Sequence, residues 1–450
     1  MKEYEIIVIG GGPAGITLSK MLGKKFKMAV IRPENHSMIY CALPYAIEGL
    51  ITNEKTFKED SLVLDAGADL IRSKAQNVDF ENKVVNLENG ESLTYEKLII
   101  ASGATPFMPP IPGIDLEGVT GFKTADDLIW IEEKLDKDVN NAVVVGAGAI
   151  GIELAQALAF KGINVNLIDM AGSVLPNMLD AELSEELRFE MTNKGVNFIG
   201  NARVTELRGE NFVEEVVMDS GKIIKFQSEE KGKQTGIVIF AVGMKPEIDF
   251  LKNTTLEIDK QGIVINDKME TNIPNVYAVG DCVQFYSGID HKPLLGKLAT
   301  NAVPMSKILG FNLLGQNRSY KGFFNGAATK VGKYYLGSTG FTEKIAKERG
   351  FDIICGYSKV TTKFPIMPTK KNKQMKLVVD RKTHRVLGAQ IVSGEPVIGR
   401  IDLLTYAIQK DSTVEELAEL SYASQPHQSF YPAANVVVLA SEEIIKKLNK

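Results

Sequence analysis

The sequence has few cysteines, no strong charge of either sign and no long apolar run. Three cysteines in 450 residues cannot make a disulfide framework, which indicates reduced thiols and a cytoplasmic protein. Lys and Arg number 52 against 56 Asp and Glu, so the basic excess typical of nucleic-acid binders is missing. No stretch approaches the roughly 18 apolar residues of a membrane span, and the first residues lack a signal-peptide pattern. We therefore expect neither nucleic acid nor membrane as a partner.

Short β-rich runs alternate with helical patterns along the chain, which predicts an α/β fold. Predicted strands at residues 5–9 and at Met28–Ile31 enclose a glycine loop and a helix. The same order recurs with strands at 142–145 and 165–168. A third region, from residue 323, has antiparallel strand patterns and helices but no glycine loop. The length alone favours about three domains.

The first glycine loop has the spacing and the context of a dinucleotide-binding turn. Gly10 allows a tight turn after the strand, Gly12 lets the backbone approach a pyrophosphate, and Gly15 lets the helix pack on the strand. The helix N-terminus then points its positive end at the phosphates. The alternative is a glycine turn without a ligand, and the flanking strand and helix argue against it.

The second loop repeats this motif at Gly146, Gly148 and Gly151. Asp169 ends the following strand, where an acid accepts hydrogen bonds from an adenine ribose and repels a 2′-phosphate. No arginine in residues 170–175 offsets that repulsion. The second loop therefore predicts NADH rather than NADPH.

The corresponding acid position of the first unit is Arg32. Either Glu34, two residues later, or the backbone would then contact the ribose. The sequence leaves these two alternatives open.

Residues 271–281 place Asp281 after a strand and Gly280, and residues 99–104 and 240–243 have the pattern of paired crossover turns. Together with the two loops, these segments resemble the FAD-dependent pyridine nucleotide–disulfide oxidoreductases. The resemblance implies two Rossmann-like dinucleotide-binding domains, for FAD and NAD, and an α+β C-terminal dimerisation domain. It also implies that Asp281 contacts the flavin ribityl chain.

The implied domains are a discontinuous FAD-binding domain (1–112 and 246–322), an NAD-binding domain (113–245) and a dimerisation domain (323–450). The implied cofactors are FAD and NADH, with no metal, and the implied assembly is a homodimer. The residues expected to bind the dinucleotides are Gly10, Gly12, Pro13, Ala14, Gly15, Arg32, Glu34, Ala101, Ser102, Gly103, Gly280, Asp281, Gly146, Gly148, Ile150, Gly151, Glu153, Asp169 and Gly243.

Cys41 indicates the branch of the family. Most members have two cysteines separated by four residues, whereas Cys41 is alone in the run Cys-Ala-Leu-Pro-Tyr. This run resembles the single-cysteine branch of coenzyme A-disulfide reductases, NADH oxidases and NADH peroxidases. Cys41 opens a predicted helix, whose N-terminus would favour the nucleophilic thiolate. Cys282 and Cys355 are interpreted as structural.

The resemblance suggests further site residues. Ser37 and Tyr45 would contact substrate, Tyr422 would act from the partner subunit, and Glu153 would help to place the nicotinamide. His427 is either an acid–base group acting on the partner's thiol site or a surface residue. The first loop has Pro13 and Ala14 where peroxidases and water-forming oxidases carry a histidine, which puts peroxide handling in doubt.

The predicted function is an NADH-dependent reduction of a disulfide, persulfide or polysulfide through FAD and Cys41. Three alternatives stay open: an NADH oxidase that reduces oxygen at the flavin, an electron-transfer reductase for a small iron–sulfur protein, and an NADH-sensing flavoprotein. Cys41 beside the flavin argues against the last two.

Overall fold

The computed structural model describes residues 1–137, 139–226, 234–296 and 298–450, and they form two compact units. The first unit comprises residues 1–107, 123–126 and 243–323. The second comprises residues 108–122, 127–242 and 324–450. Within the described ranges, no helix has both the length and the apolar character needed to cross a membrane.

A mixed sheet forms the centre of the first unit. Its parallel strands are buried on both faces, which explains their nearly continuous Val and Ile content. The helix Pro13–Leu22 packs against the helix Ala299–Leu313. In spatial order the strands are Asp69–Ile71, Met28–Ile31, Lys2–Ile9, Ser92–Ile100, Val84–Leu87 and Ala75–Asp79, with Val276–Ala278 added beside Ser92–Ile100.

Short elements complete the first unit. Its small strand pairs are Ser37–Met38 with Phe57–Lys58, Ala104–Pro106 with Met244–Pro246, Ile258–Asp259 with Gly262–Ile263, and Phe285–Tyr286 with Pro293–Leu294. Its short helices and 3₁₀ turns are Tyr40–Ala42, Leu43–Glu48, Asn53–Thr56, Ser61–Leu64, Asp249–Leu251 and Gly280–Cys282. Two of these turns, Tyr40–Ala42 and Gly280–Cys282, carry predicted site residues.

The second unit contains a parallel sheet that repeats the βαβ order of the first. Its strands are, in spatial order, Val119–Gly121, Gly236–Phe240, Asn141–Val145, Asn164–Ile168 and Val196–Ile199. Its helices are Ala125–Leu135, which begins in the first unit, Ala149–Phe160 and Ala181–Asn193. An antiparallel group, Val204–Arg208, Glu215–Met218 and Ile223–Lys225, closes an apolar core with this sheet.

A five-stranded antiparallel sheet forms the rest of the second unit. Its strands are, in spatial order, Ala327–Val331, Tyr334–Gly340, Val386–Ser393, Asn372–Asp380 and Ile353–Thr361. Its helices and 3₁₀ turn are Glu343–Glu348, Ile398–Gln409, Val414–Ala418, Pro432–Ala434 and Val436–Leu448. The predicted α/β class, with two dinucleotide-type sheets and an α+β C-terminal region, is confirmed. The boundaries of the three predicted domains stay a prediction.

Lys376 joins the C-terminal sheet to the parallel-sheet part of the second unit. Its side chain is 1% exposed, and its Nζ lies 2.9 Å from Asp180 and 2.6 Å from Glu343. Glu182 is a third partner of the same ammonium group. Three carboxylates therefore compensate for the burial of one positive charge, and the three acids need no metal ion to lie together.

Replacing Lys376 with methionine should lower the free energy of unfolding by about 3–5 kcal/mol, because the carboxylates lose their common cation. The matched control is Arg188→Met, which breaks the exposed ion pair with Glu185 on the helix Ala181–Asn193 and should cost about 1 kcal/mol or less. Urea titrations of the three proteins provide the comparison. Equal losses for the two variants would contradict the role given to Lys376.

The same cluster predicts an acid sensitivity. Hydrogen bonds from Lys347 and Lys376 lower the pKa of Glu343 to about 2. Because the unfolded pKa is about 4.3, this stabilisation is complete above that pH and is lost as the pH falls toward 2. The Lys376→Met protein should lose less stability than the wild type over this interval.

Candidate functional site

The first glycine loop is built by close backbone contacts. Gly10 has φ of +118°, and a Cβ there would lie 2.1 Å from the carbonyl oxygen of Ala101. A Cβ at Gly15 would lie 2.2 Å from the carbonyl oxygen of Gly10. At Gly12 a Cβ would meet no described atom within 4 Å, apart from its chain neighbours. Gly10 and Gly15 are thus needed for packing, whereas Gly12 leaves open space over the loop where a pyrophosphate fits.

Predicted site segments that are distant in sequence converge on this loop. The strand Val276–Ala278 pairs with Ser92–Ile100, which brings the turn Gly280–Cys282 beside the start of the first helix. A Cβ at Gly280 would lie 4.0 Å from that of Ala14. The Ser102 hydroxyl is buried and has no hydrogen-bond partner in the described part of the chain. A buried donor of this kind, beside Asp281 and an open glycine loop, fits a polar cofactor such as FAD.

Arg32 occupies the space beside the loop rather than an open ribose site. It is 3% exposed, its carbon atoms pack over Gly11, and its guanidinium forms an ion pair with Asp60. Its Nε donates to the carbonyl oxygen of Glu34 at 3.0 Å. Arg32 therefore shapes the segment that carries Glu34. The residue that contacts the ribose stays a prediction.

Cys41 lies in the 3₁₀ turn Tyr40–Ala42, immediately before the helix Leu43–Glu48, and is exposed. Pro44 stands in the first turn of that helix, as the sequence predicts. Ser37 is 2% exposed, and its hydroxyl has no hydrogen-bond partner among the described residues. Tyr45 is half-buried within the same helix. The turn thus presents an accessible thiol.

Lys123 is a site residue that the sequence reasoning missed. Its Nζ donates to the carbonyl oxygen of Ala104 and lies 5.1 Å from the ring centroid of Tyr40, the residue before Cys41. Burial lowers the pKa of Lys123, and the negative charges of Asp281, Glu247 and Glu34 oppose that effect. No motif marks this position, because only the fold brings residue 123 to the cysteine turn.

Tyr40 places a neutral phenol next to the thiol. Burial, followed by the negative charge of Glu34, raises the pKa of Tyr40 to about 12, although 37% of the residue's surface is exposed. A phenolate is therefore absent at neutral pH. The cysteine turn therefore has the Lys123 side chain and the neutral Tyr40 ring on one side.

The second glycine loop repeats the contacts of the first. A Cβ at Gly146 would lie 2.5 Å from the carbonyl oxygen of Ala241, and one at Gly151 would lie 1.9 Å from that of Gly146. A Cβ at Gly148, like one at Gly12, would meet no described atom within 4 Å, apart from its chain neighbours. Ile150 is exposed at the helix start, and Gly243 has φ of +122°.

Asp169 stabilises the second loop. Its two carboxylate oxygens accept hydrogen bonds from the N–H groups of Ala147, at 2.6 Å, and Ala171, at 2.7 Å. Its negative charge therefore lies at the end of the strand Asn164–Ile168, beside the glycine loop. This is where the sequence places a ribose-binding acid, and each oxygen can accept a further hydrogen bond.

Glu153 lies one turn inside the helix Ala149–Phe160 and is half-buried. Its Oε1 accepts a hydrogen bond of 2.5 Å from the hydroxyl of Thr329, on the strand Ala327–Val331. Burial raises the pKa of Glu153, and the Thr329 hydrogen bond opposes this. The sequence reasoning missed Thr329, since nothing in the spacing pairs residue 153 with residue 329.

The C-terminal site candidates belong to one segment between the helices Val414–Ala418 and Val436–Leu448. Tyr422 donates to the carbonyl oxygen of Pro432 at 2.6 Å and packs edge-on against Phe430. His427 is exposed, and its backbone N–H donates to Gln425. Both residues are therefore on the surface of the second unit, and their catalytic roles stay predictions.

The remaining cysteines and histidines have structural surroundings. Cys282 is buried, with its Sγ 3.3 Å from the carbonyl oxygen of Val279. Burial raises the pKa of Cys355 to about 12. His36 stacks on Phe57, His291 is exposed, and His384 pairs with Glu415 at 2.6 Å.

Comparison with known proteins agrees with this geometry. Residues 4–305 match the family described as pyridine nucleotide-disulphide oxidoreductase, and residues 327–433 match its dimerisation domain. The chain belongs to this family. A NADH oxidase from Methanocaldococcus jannaschii is 33% identical over 98% of this chain and 99% of its own length.

Two further relatives of this oxidoreductase are named for sulfur chemistry. A NAD(P)H coenzyme A polysulfide/persulfide reductase from Pyrococcus horikoshii is 32% identical, covering 94% of this chain and 95% of its own. The solved structure of a NAD-dependent persulfide reductase from A. fulgidus has a TM-score of 0.92 at 28% identity, covering 99% of this chain and 83% of its own.

As a family member, the chain is an FAD-dependent oxidoreductase of NAD(P)H, and the predicted enzyme class is confirmed. The open space at Gly12, the buried Ser102 hydroxyl and the adjacent turn of Asp281 fit FAD in the first unit. The second loop, with Asp169, fits the pyridine nucleotide.

Replacing Gly15 with alanine should strongly reduce the flavin content, because the new Cβ would push the first helix away from Gly10. Flavin absorbance per protein, measured after purification with added FAD, tests this. Gly399→Ala is the control, since a Cβ there meets no described atom within 4 Å. Full flavin content in Gly15→Ala would contradict the packing argument.

Proposed function

We propose that this oxidoreductase uses NADH to reduce a disulfide, persulfide or polysulfide at Cys41. The observation that carries the proposal is the exposure of Cys41 in a turn that no second cysteine shares. A single thiol has no neighbouring cysteine with which to form an internal disulfide, so during sulfur reduction it would form its mixed disulfide with the substrate. The sulfur-reducing relatives support this choice of substrate.

The reaction divides into two halves. The Cys41 thiolate attacks one sulfur of the substrate S–S bond, forms a mixed disulfide with one half and releases the other half as a thiolate that takes a proton. FAD, when bound, would carry the two electrons of NADH to this mixed disulfide. Its cleavage releases the second thiol and restores the Cys41 thiolate.

A neutral ring and a lysine side chain lie beside the cysteine turn. The phenol of Tyr40 is neutral near pH 7, and the ammonium group of Lys123 lies against its ring. Neither group places a negative charge beside the nucleophile. Ser37, four positions before Cys41, has a buried hydroxyl without a partner among the described residues, which would donate to a substrate that enters beside the turn.

The C-terminal region would complete the site in a homodimer. The match of residues 327–433 to a dimerisation domain supports this assembly. Tyr422 and His427 lie on the surface of that region, as groups that act on the partner subunit's Cys41 would. His427 would act as the general acid for the leaving thiolate.

Oxygen reduction is a second candidate function, favoured by the NADH oxidase relative that matches nearly the whole chain. In this alternative the electrons reach oxygen without a mixed disulfide at Cys41. Pro13 and Ala14 stand where the resemblance places the histidine of peroxidases and water-forming oxidases, which supports sulfur as the main acceptor. The exposed thiol of Cys41 is consistent with this acceptor. It also argues against an electron carrier or a NADH sensor, neither of which needs a nucleophile.

Changing Cys41 to serine should lower disulfide or polysulfide reduction by orders of magnitude, because serine does not ionise near neutral pH. FAD binding and flavin bleaching by NADH should persist, while the long-wavelength absorbance of a thiolate beside oxidised flavin is lost. Anaerobic stopped-flow and steady-state assays separate these effects. Cys355→Ser is the control and should retain activity. Full reductase activity in Cys41→Ser would favour the electron-transfer alternative.

We also propose that Asp169 makes the enzyme prefer NADH. The variant Asp169→Asn removes the negative charge. The kcat/KM for NADH divided by that for NADPH should fall about tenfold, because the 2′-phosphate of NADPH is no longer repelled. Asp169→Ala should weaken both cofactors further, since the N–H groups of Ala147 and Ala171 lose their acceptor. An unchanged ratio in Asp169→Asn would refute the proposed selectivity.

A further inference from the structure

A hydrogen bond from the C-terminal sheet reaches the helix that follows the second glycine loop. The Thr329 hydroxyl is 2.5 Å from Oε1 of Glu153, and Thr329 itself is only 9% exposed. The threonine hydroxyl donates this hydrogen bond to the carboxyl oxygen. The strand Ala327–Val331 therefore acts directly on a helix residue that the nucleotide loop positions.

Gln156 holds the same strand and helix in register. Its Oε1 accepts from the backbone N–H of Gly332 at 2.7 Å, and its Nε2 donates to the carbonyl oxygen of Lys330 at 3.1 Å. These bonds lie one helical turn beyond Glu153. They restrict sliding of the strand along the helix, so the Thr329 hydroxyl faces Glu153 in a defined position.

We propose that Thr329 is a positioning residue for the nicotinamide, because its hydroxyl holds the Glu153 carboxyl group in a defined orientation as an acceptor for the carboxamide N–H of NADH. The inference rests on the NADH-dependent function proposed above. A carboxylate with one oxygen fixed by Thr329 keeps further lone pairs for a carboxamide. The C-terminal sheet would thereby affect hydride delivery as well as dimerisation.

The charge environment makes Thr329 the main polar influence on Glu153. Burial raises the pKa of this acid, and the Thr329 hydrogen bond is the effect that lowers it. Of the strands packed against the helix, Asn141–Val145, Asn164–Ile168 and Val196–Ile199 contain no charged residue. Lys330 is exposed and lies over the ring of Tyr335.

The test compares Thr329→Val and Thr329→Ser with the wild-type holoenzyme. Valine keeps the branched shape but removes the hydroxyl, so the pKa of Glu153 should rise and the carboxylate should be lost at a higher pH. NAD⁺ affinity near neutral pH, measured by calorimetry, should fall about tenfold, the usual effect of losing a hydrogen bond to a charged group. The rate of flavin reduction by NADH, measured anaerobically as a function of pH, should begin its decline on acidification at a higher pH than in the wild type.

The saturation behaviour separates positioning from damage to the fold. The concentration of NADH needed for half-maximal flavin reduction should rise more than the limiting rate falls, and Thr329→Ser should restore both. The matched control is Thr339→Val. Thr339 lies on the neighbouring strand and is 1% exposed, and its hydroxyl donates to the carbonyl oxygen of Phe324 instead of to Glu153. Its pH profile should stay as in the wild type.

An unchanged affinity and pH profile in Thr329→Val would overturn the proposal, and so would the same shift in Thr339→Val. Both measurements use only NAD⁺ or NADH and the bound flavin. A failure of sulfur reduction in the wild type would therefore refute the proposed substrate without affecting this test.

Discussion

The close approach of backbone at the two glycine loops is the constraint on which the rest of the structure depends. At Gly10 and again at Gly146, the chain passes so near the carbonyl oxygen of an adjacent crossover that no side chain fits. Gly15 and Gly151 then bring each helix against its loop. This packing leaves open space in front of two helix N-termini, so each unit has room for a dinucleotide.

The surroundings of Cys41 depend on that first loop. The sheet brings together the loop, the turn of Asp281 and the segment of Lys123, which contacts the ring beside the cysteine. A thiol in this position is exposed to substrate and lies in the same unit as the predicted flavin site. The residues Pro13 and Ala14 in the first loop, rather than the fold, favour sulfur over oxygen as the acceptor.

Local patterns predicted the elements well, whereas long-range polar contacts could not be predicted. The strand Met28–Ile31 has the predicted bounds, and the helices expected after residue 323 include Val414–Ala418, whose start is set by a capping box at Thr413 and Glu416. Lys123 and Thr329 carry no motif, since their contacts arise only when distant strands pair. Arg32 stands where an acid is expected after the second strand, and in the structure its charge is paired with Asp60.

The central claim is that the enzyme transfers the electrons of NADH to a sulfur-containing acceptor. Its most direct test is anaerobic NADH oxidation by the purified flavoprotein with polysulfide, coenzyme A persulfide, coenzyme A disulfide or peroxide, set against oxygen consumption in air. The account predicts that at least one sulfur acceptor has a kcat/KM far above that of oxygen and peroxide. Rapid turnover with oxygen and none with any sulfur acceptor would contradict it.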